Sequence, residues 1–182
     1  MENVALFGGS FDPPHIGHVA VVDALLKRKE IEGVVVMPAY LNPFKSKSYA
    51  DASQRVAWLK KIFASYPRVI VDDYEVRMQE KVPSIQTVRR LLERYKKIYL
   101  VIGADNLEGL QGWYKYDELK ELVTFIVASR DDKEIPEEFL RLDVDCDVSS
   151  TQLRKKMERS KLPKTCADEI TKYYKEIDAD QN

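Results

Sequence analysis

Short apolar runs alternate with amphipathic stretches along the chain. The runs at 4–7, 34–37, 68–71, 98–102 and 122–128 have strand length and are rich in Val, Ile and Leu, and each is bounded by polar or structure-breaking residues. Continuous hydrophobicity of this kind, rather than strict alternation, suits strands buried on both faces. A weaker run at 143–148 makes a sixth strand. Helical periodicity fills the intervals at 16–29, 53–65 and 84–95, and returns at 150–159 and 163–177. In the first of these, Val19, Val22, Leu25 and Leu26 form an apolar face, and Lys27, Arg28 and Lys29 suit the negative end of the helix dipole. Strand and helix alternating at this spacing predict an α/β protein, a Rossmann-like doubly wound fold whose mostly parallel sheet carries helices on both faces. Functional sites in such a fold lie at the carboxyl ends of strands.

The most informative such position follows the first run: Gly8-Gly9-Ser10-Phe11-Asp12-Pro13-Pro14-His15-Ile16-Gly17-His18. Glycines after a strand leave room for an anion, and the N–H groups of the helix start converge there. Pro14 pushes Pro13 out of the α region, so the helix begins at Pro14 or later, with His15 and His18 in its first turn and on one face. Three further stretches occupy comparable places. Ser149-Ser150-Thr151 opens the penultimate helix, and Arg154, three residues past Thr151, can aim its guanidinium at an anion held by the cap. Gly103-Ala104-Asp105-Asn106 ends the fourth strand ahead of Trp113-Tyr114; Asp105 can cap a helix or accept from ribose hydroxyls. Ser84 caps the third helix, with Thr87 in its first turn. The acidic turn Asp72-Asp73-Tyr74-Glu75 is read as pairing with Arg77 or Arg89 and is given no catalytic role.

Composition narrows the class without choosing a chemistry. The 182 residues carry 29 Lys plus Arg against 30 Asp plus Glu, a net charge of -1, so neither nucleic acid nor membrane is an expected partner. A chain of this length suggests one domain, residues 1–182. The two cysteines, Cys146 and Cys166, form no CxxC pair, and no signal-peptide or membrane-spanning pattern is evident, so a cytoplasmic protein with reduced thiols is expected. No carboxylate cluster suggests a protein metal cage.

The glycine-histidine stretch resembles a known family. His15-Ile16-Gly17-His18 matches the HxGH signature of the nucleotidyltransferase superfamily, and GGSFDPPHIGH as a whole is similar to the bacterial nicotinate-nucleotide adenylyltransferases. Val148 to Arg154 resembles that family's ISSTxIR motif, and GADN followed by WYKY its central pattern. The resemblance implies adenylyl transfer from ATP to nicotinate mononucleotide in NAD biosynthesis, with Mg²⁺ carried on the ATP phosphates. It implies catalytic roles for His15, His18, Lys45 and Arg154. ATP contacts are implied for Gly8, Gly9, Ser10, Phe11, Gly17, Gly103, Asp105, Ser149, Ser150 and Thr151, with residues 149–182 a helical portion completing the ATP site. Contacts to the mononucleotide are implied for Asn42, Ser84, Thr87, Trp113 and Tyr114, where Trp113 stacks on the pyridine and N–H groups near Thr87 and Tyr114 meet its carboxylate. Phe44 stands where many members of the family have a histidine beside the lysine. A different acceptor, nicotinamide mononucleotide or phosphopantetheine, and a nucleotide-binding module without catalysis are the alternatives, and oligomeric state, a homo-oligomer included, is left open.

Overall fold

The computed structural model describes residues 1–42, 47–129 and 134–180, so Lys45 and Phe44 lie outside the described residues. Within them the chain forms β1 (Asn3–Gly9), α1 (Ile16–Leu26), β2 (Gly33–Pro38), α2 (Ala52–Ile62), β3 (Val69–Val71), α3 (Tyr74–Met78) and α4 (Ser84–Leu92). There follow β4 (Lys97–Gly103), α5 (Tyr116–Leu122), β5 (Val123–Ser129), β6 (Leu140–Asp143), α6 (Ser150–Lys155) and α7 (Ala167–Asp180). The strands make one sheet, in order β3-β2-β1-β4-β5-β6, and every pairing is parallel.

Side chains alternate across the pleat, so each inner strand feeds two cores. Ala5, Val34, Val36, Tyr99 and Val101 join Val22 and Leu25 of α1, Trp58 and Leu59 of α2 and Ile170 and Tyr174 of α7 on one face. Val4, Leu6, Val35, Met37, Leu100 and Ile102 join Ile85, Val88 and Leu91 of α4 and Leu119 of α5 on the other. This two-sided burial is why β2 is apolar along its length, and it gives the doubly wound arrangement expected from the sequence. The sheet order reverses between β1 and β4, whose ends at Gly9 and Gly103 therefore open a crevice at the topological switch point.

Several boundaries differ from the sequence expectation. The sixth strand is 140–143 rather than 143–148. The N–H of Val144 still bonds to the carbonyl of Ser129, but Cys146 then bonds back to Val144 and Val148 to Cys146, so the chain leaves the sheet in two tight turns. Val144 and Val148 are buried all the same, which is why their spacing resembles a strand. The penultimate helix ends at Lys155, because Lys156 is extended and the following chain carries Leu162 into the core. The terminal helix begins at Ala167, after a turn in which Cys166 N–H bonds to the carbonyl of Pro163. The acidic turn 72–75 runs into the short helix α3. There Asp73 pairs with Arg77 at 2.8 Å and Asp72 with Arg90 at 2.8 Å, while Arg89 turns instead to Glu118.

Candidate active site

The turn between β1 and α1 is built differently from a plain glycine loop. Gly8 and Gly9 complete the strand, no described glycine has a positive φ, and the left-handed residue is Phe11, with φ 49°. Gly9 is needed for close approach, since a Cβ there would stand 3.2 Å from the Phe11 ring. Gly17 has the same function in the helix, where a Cβ would come within 3.0 Å of His15 Nδ1 and of Val148. The small residue between the histidines thus lets a buried imidazole and the segment before α6 share one space.

His15 caps α1 in an extended conformation, and its carbonyl accepts from the His18 N–H at 2.9 Å. The rings stack at 3.6 Å between centroids with 21° between planes, and Phe11 meets His18 edge-on at 4.8 Å. His15 N–H donates to His18 Nδ1 at 3.1 Å. In a neutral ring the proton then resides on Nε2, which makes that atom of His18 a hydrogen-bond donor. His15 is buried and His18 half-buried.

Beneath this turn lies a buried polar network that sequence reasoning did not identify. The Asp12 carboxylate accepts from the N–H groups of Tyr49 at 2.8 Å and Ala50 at 3.0 Å, and from the hydroxyl of Tyr174 in α7. Arg55, 1% exposed, donates to the carbonyls of Ser10 at 2.5 Å, Ala39 at 2.9 Å, Tyr40 at 2.9 Å and Ala50 at 3.2 Å. Burial lowers the pKa of Arg55, and the negative charge of Asp12 is the strongest influence opposing it. Burial also raises the pKa of Tyr174, with the Asp12 charge adding to the effect, so the phenol stays a donor. A buried arginine with four carbonyl partners fixes the strand-end loops against one another. Sequence offered one signal for it, a charged residue on the apolar face of α2, where Arg55 precedes buried Val56, Trp58 and Leu59.

The start of α6 packs on the same turn. Ser149 and Gln152 form a reciprocal capping box, Ser149 Oγ accepting from the N–H of Gln152 at 3.2 Å. Ser150 Oγ donates to the Pro13 carbonyl at 2.8 Å. Arg154 donates to the Asp12 carbonyl and to Thr151 Oγ1, the latter at 3.1 Å, and lies 4.5 Å from the centroid of the Tyr49 ring. His15, His18, Ser149, Ser150, Thr151 and Arg154 are therefore one assembly around the 10–15 turn.

Across the switch point is a cavity of about 490 Å³. Gly8 and Gly9 of β1, Asn42, Ser84, Gly103 of β4, Trp113 and Tyr114 line it, as do Glu75, Lys81 and Asn106. Four candidate residues lie outside its lining. Asp105 is exposed on a short 3₁₀ turn and is absent from the lining, which Asn106 reaches in its place. Thr87 is buried behind the cavity, its hydroxyl donating to Glu75 Oε1 at 2.6 Å. Phe11 is buried in the core, and Ser10 faces a smaller cleft with Asp12 and Arg55. Glu75, which the acidic-turn reading set aside, is half-buried on the cavity wall, and its burial raises its pKa to about 7.

Among the described residues no group of three or more His, Cys, Asp or Glu side chains could hold a metal ion, and no helix is long and apolar enough to cross a membrane.

A model of the cytidylyltransferase-like family matches residues 6–156. The chain is 61% identical over 176 residues to a protein of Sulfurimonas denitrificans named "Probable nicotinate-nucleotide adenylyltransferase", covering 97% of each chain. A protein of Nitratiruptor sp. with the same name is 45% identical, over 94% of this chain and 98% of its own. The fold is shared with a structure described as Plasmodium falciparum nicotinic acid mononucleotide adenylyltransferase complexed with NaAD, at TM-score 0.78 and 21% identity, covering 96% of this chain and 98% of that one.

Proposed function

The chain belongs to the cytidylyltransferase-like family of nucleotidyltransferases, among the nicotinate-nucleotide adenylyltransferases, and we propose that it adenylylates nicotinate mononucleotide with ATP. The products are nicotinate adenine dinucleotide and pyrophosphate, a step of NAD biosynthesis. The observation that carries this reading is the stacked His15–His18 pair in the turn after β1, with His18 beside Phe7 of a cavity whose wall includes Trp113 and Tyr114.

In the reaction a 5′-phosphate oxygen of the mononucleotide attacks the α-phosphorus of ATP. The bond from that phosphorus to the bridging oxygen breaks, and its electron pair leaves with pyrophosphate. The nucleophile is already an anion near neutral pH, so no general base is required. What remains is positioning and stabilisation of the charge that builds on phosphate oxygens. His18 Nε2 and the imidazole of His15 supply donors, and Arg154 and Lys45 supply cations. ATP rests against Gly8, Gly9, Ser10, Gly17, Gly103, Asp105, Ser149, Ser150 and Thr151, and the buried Phe11 acts on this site by shaping the turn. Residues 1–182 act as one domain, and 149–182 complete the ATP site through the bonds of Ser150 and Arg154 to the Pro13 and Asp12 carbonyls.

The mononucleotide occupies the cavity with Asn42, Ser84, Trp113 and Tyr114, its pyridine on the Trp113 ring and Thr87 behind. Family members are nucleotidyltransferases that generally require a divalent cation. In this reading the cation is Mg²⁺, which would be carried by the ATP phosphates and would supply positive charge there, since magnesium keeps most of its waters and asks for few protein ligands.

The test is to measure pyrophosphate release with Mg²⁺ and ATP and, separately, nicotinate mononucleotide, nicotinamide mononucleotide and phosphopantetheine. Fastest release is expected with the nicotinate compound. No release with either mononucleotide overturns the proposal.

A further inference from the structure

On the cavity lining Glu75 is the one acidic residue and Lys81 the one basic residue among those described. A carboxylate on that wall is unexpected for a pocket that takes an anionic pyridine, because two like charges in a partly desolvated cavity repel. We propose that Glu75 is a specificity-determining residue of this pocket: its carboxyl, seated on Thr87, admits the nicotinate carboxylate while protonated and disfavours it once ionised. The inference rests on the adenylyltransferase reading and adds to it a pH-dependent choice between acid and amide substrates.

The placement of Glu75 follows from local structure. It sits in the first turn of α3, and its Oε1 accepts from Thr87 Oγ1 of α4 at 2.6 Å. Thr87 is 1% exposed, so water is excluded from that side of the carboxyl. The surrounding charges are largely engaged with one another. Asp72, at the end of β3, is paired with Arg90 of α4, and Arg90 also lies 4.4 Å from the centroid of the Tyr74 ring. Asp73 is paired with Arg77 and with Lys60 of α2. Lys81 reaches the lining from the segment before α4, and Tyr114 from the opposite wall. Neither Arg77 nor Arg90 bonds to Glu75; both bond to aspartates. Burial is accordingly the main influence raising the Glu75 pKa to about 7, with the charge of Asp72 adding to it and the Thr87 hydroxyl opposing it.

A neutral carboxyl can donate to an incoming carboxylate, whereas an ionised one only accepts. For the neutral carboxamide of nicotinamide mononucleotide this distinction is small, because an amide offers both a donor and an acceptor. The ratio of kcat/KM for the acid substrate to that for the amide substrate isolates Glu75. Ionisation of the shared 5′-phosphate and of ATP affects both substrates and cancels. Since kcat/KM reports groups of the free enzyme, a carboxyl titrating at about 7 falls from roughly nine-tenths protonated at pH 6 to roughly one-tenth at pH 8.

The experiment measures this ratio from pH 6 to pH 8 for the wild type, Glu75→Gln and Thr87→Val. The wild-type ratio is expected to fall by up to about tenfold. The Glu75→Gln ratio should stay level, and Thr87→Val, which removes the opposing hydrogen bond, should move the midpoint to higher pH. A level wild-type ratio, or a Gln variant that keeps the wild-type slope, overturns the proposal. If Glu75→Gln does not fold, as judged by circular dichroism, the wild-type profile and the Thr87→Val midpoint decide. Turnover with a level ratio defeats the Glu75 proposal alone, and absence of turnover with both mononucleotides defeats the activity on which it rests.

Discussion

The turn between β1 and α1 and the cavity beside it lie on either side of the same switch point, yet they are held in different ways. Beneath the turn, Asp12 and Arg55 are 3% and 1% exposed, and their polar atoms bond to carbonyls, N–H groups and a phenol contributed by three distant parts of the chain. The cavity is walled by an open segment in which Tyr114 is 64% exposed and Trp113 follows a 3₁₀ turn. Positioning of phosphate donors tolerates little displacement, and a buried network of many hydrogen bonds provides the rigidity. Choice of substrate needs a shaped pocket with few polar groups. Rigidity is therefore concentrated where charge must be stabilised, while discrimination is left to a few side chains of the cavity wall.

Breaking the rigid half should have the largest effect. Asp12→Ala removes the acceptor of three donors and the main charge opposing burial of Arg55, so it should lower stability by ~3–5 kcal/mol, measured by urea denaturation. His18→Ala should reduce turnover ~10³-fold with the melting temperature little changed, because it deletes a donor at the surface of a turn fixed by other residues. A folded variant with near-normal turnover would remove His18 from the mechanism. On the cavity side, Trp113→Ala should raise KM for nicotinate mononucleotide by about 10- to 100-fold, the range of lost base stacking, and leave KM for ATP nearly unaltered. Equal increases in both constants would contradict the separation of the two regions.

The last effect concerns stability against pH. Glu75 ionises near 4.5 in the unfolded chain and at about 7 in the folded protein. Its contribution is fully present below 4.5, where it is protonated in both states, and is lost as pH rises to about 7, because only the unfolded state gains from ionisation in that window. The urea midpoint of the wild type should therefore decline relative to Glu75→Gln between those values and run parallel to it above them.

Much of this was legible in the sequence. Apolar runs such as 34–37 and 98–102 marked the inner strands, because residues buried on both faces of a sheet leave no polar alternation. The histidine pair was legible too, since a spacing of three on a helix start brings the rings together, and they stack at 3.6 Å. The strand-like spacing of Val144, Cys146 and Val148 misled, because burial alone produces that pattern even where the chain turns out of the sheet. Lys45 lies outside the described residues.

By itself the sequence determined the alternating elements, the parallel sheet and the place of the glycine-histidine turn at its switch point, since these depend on local periodicity and spacing. Only the tertiary structure decided that Asp12 meets Tyr174, 162 residues away, that Arg55 joins four carbonyls beneath the turn, and that Glu75 faces the cavity while Asp105 does not. The reason is physical. A charged side chain can interrupt an apolar face, as Arg55 does on α2, but whether it is solvated, paired or buried depends on which distant backbone groups folding brings within hydrogen-bond reach.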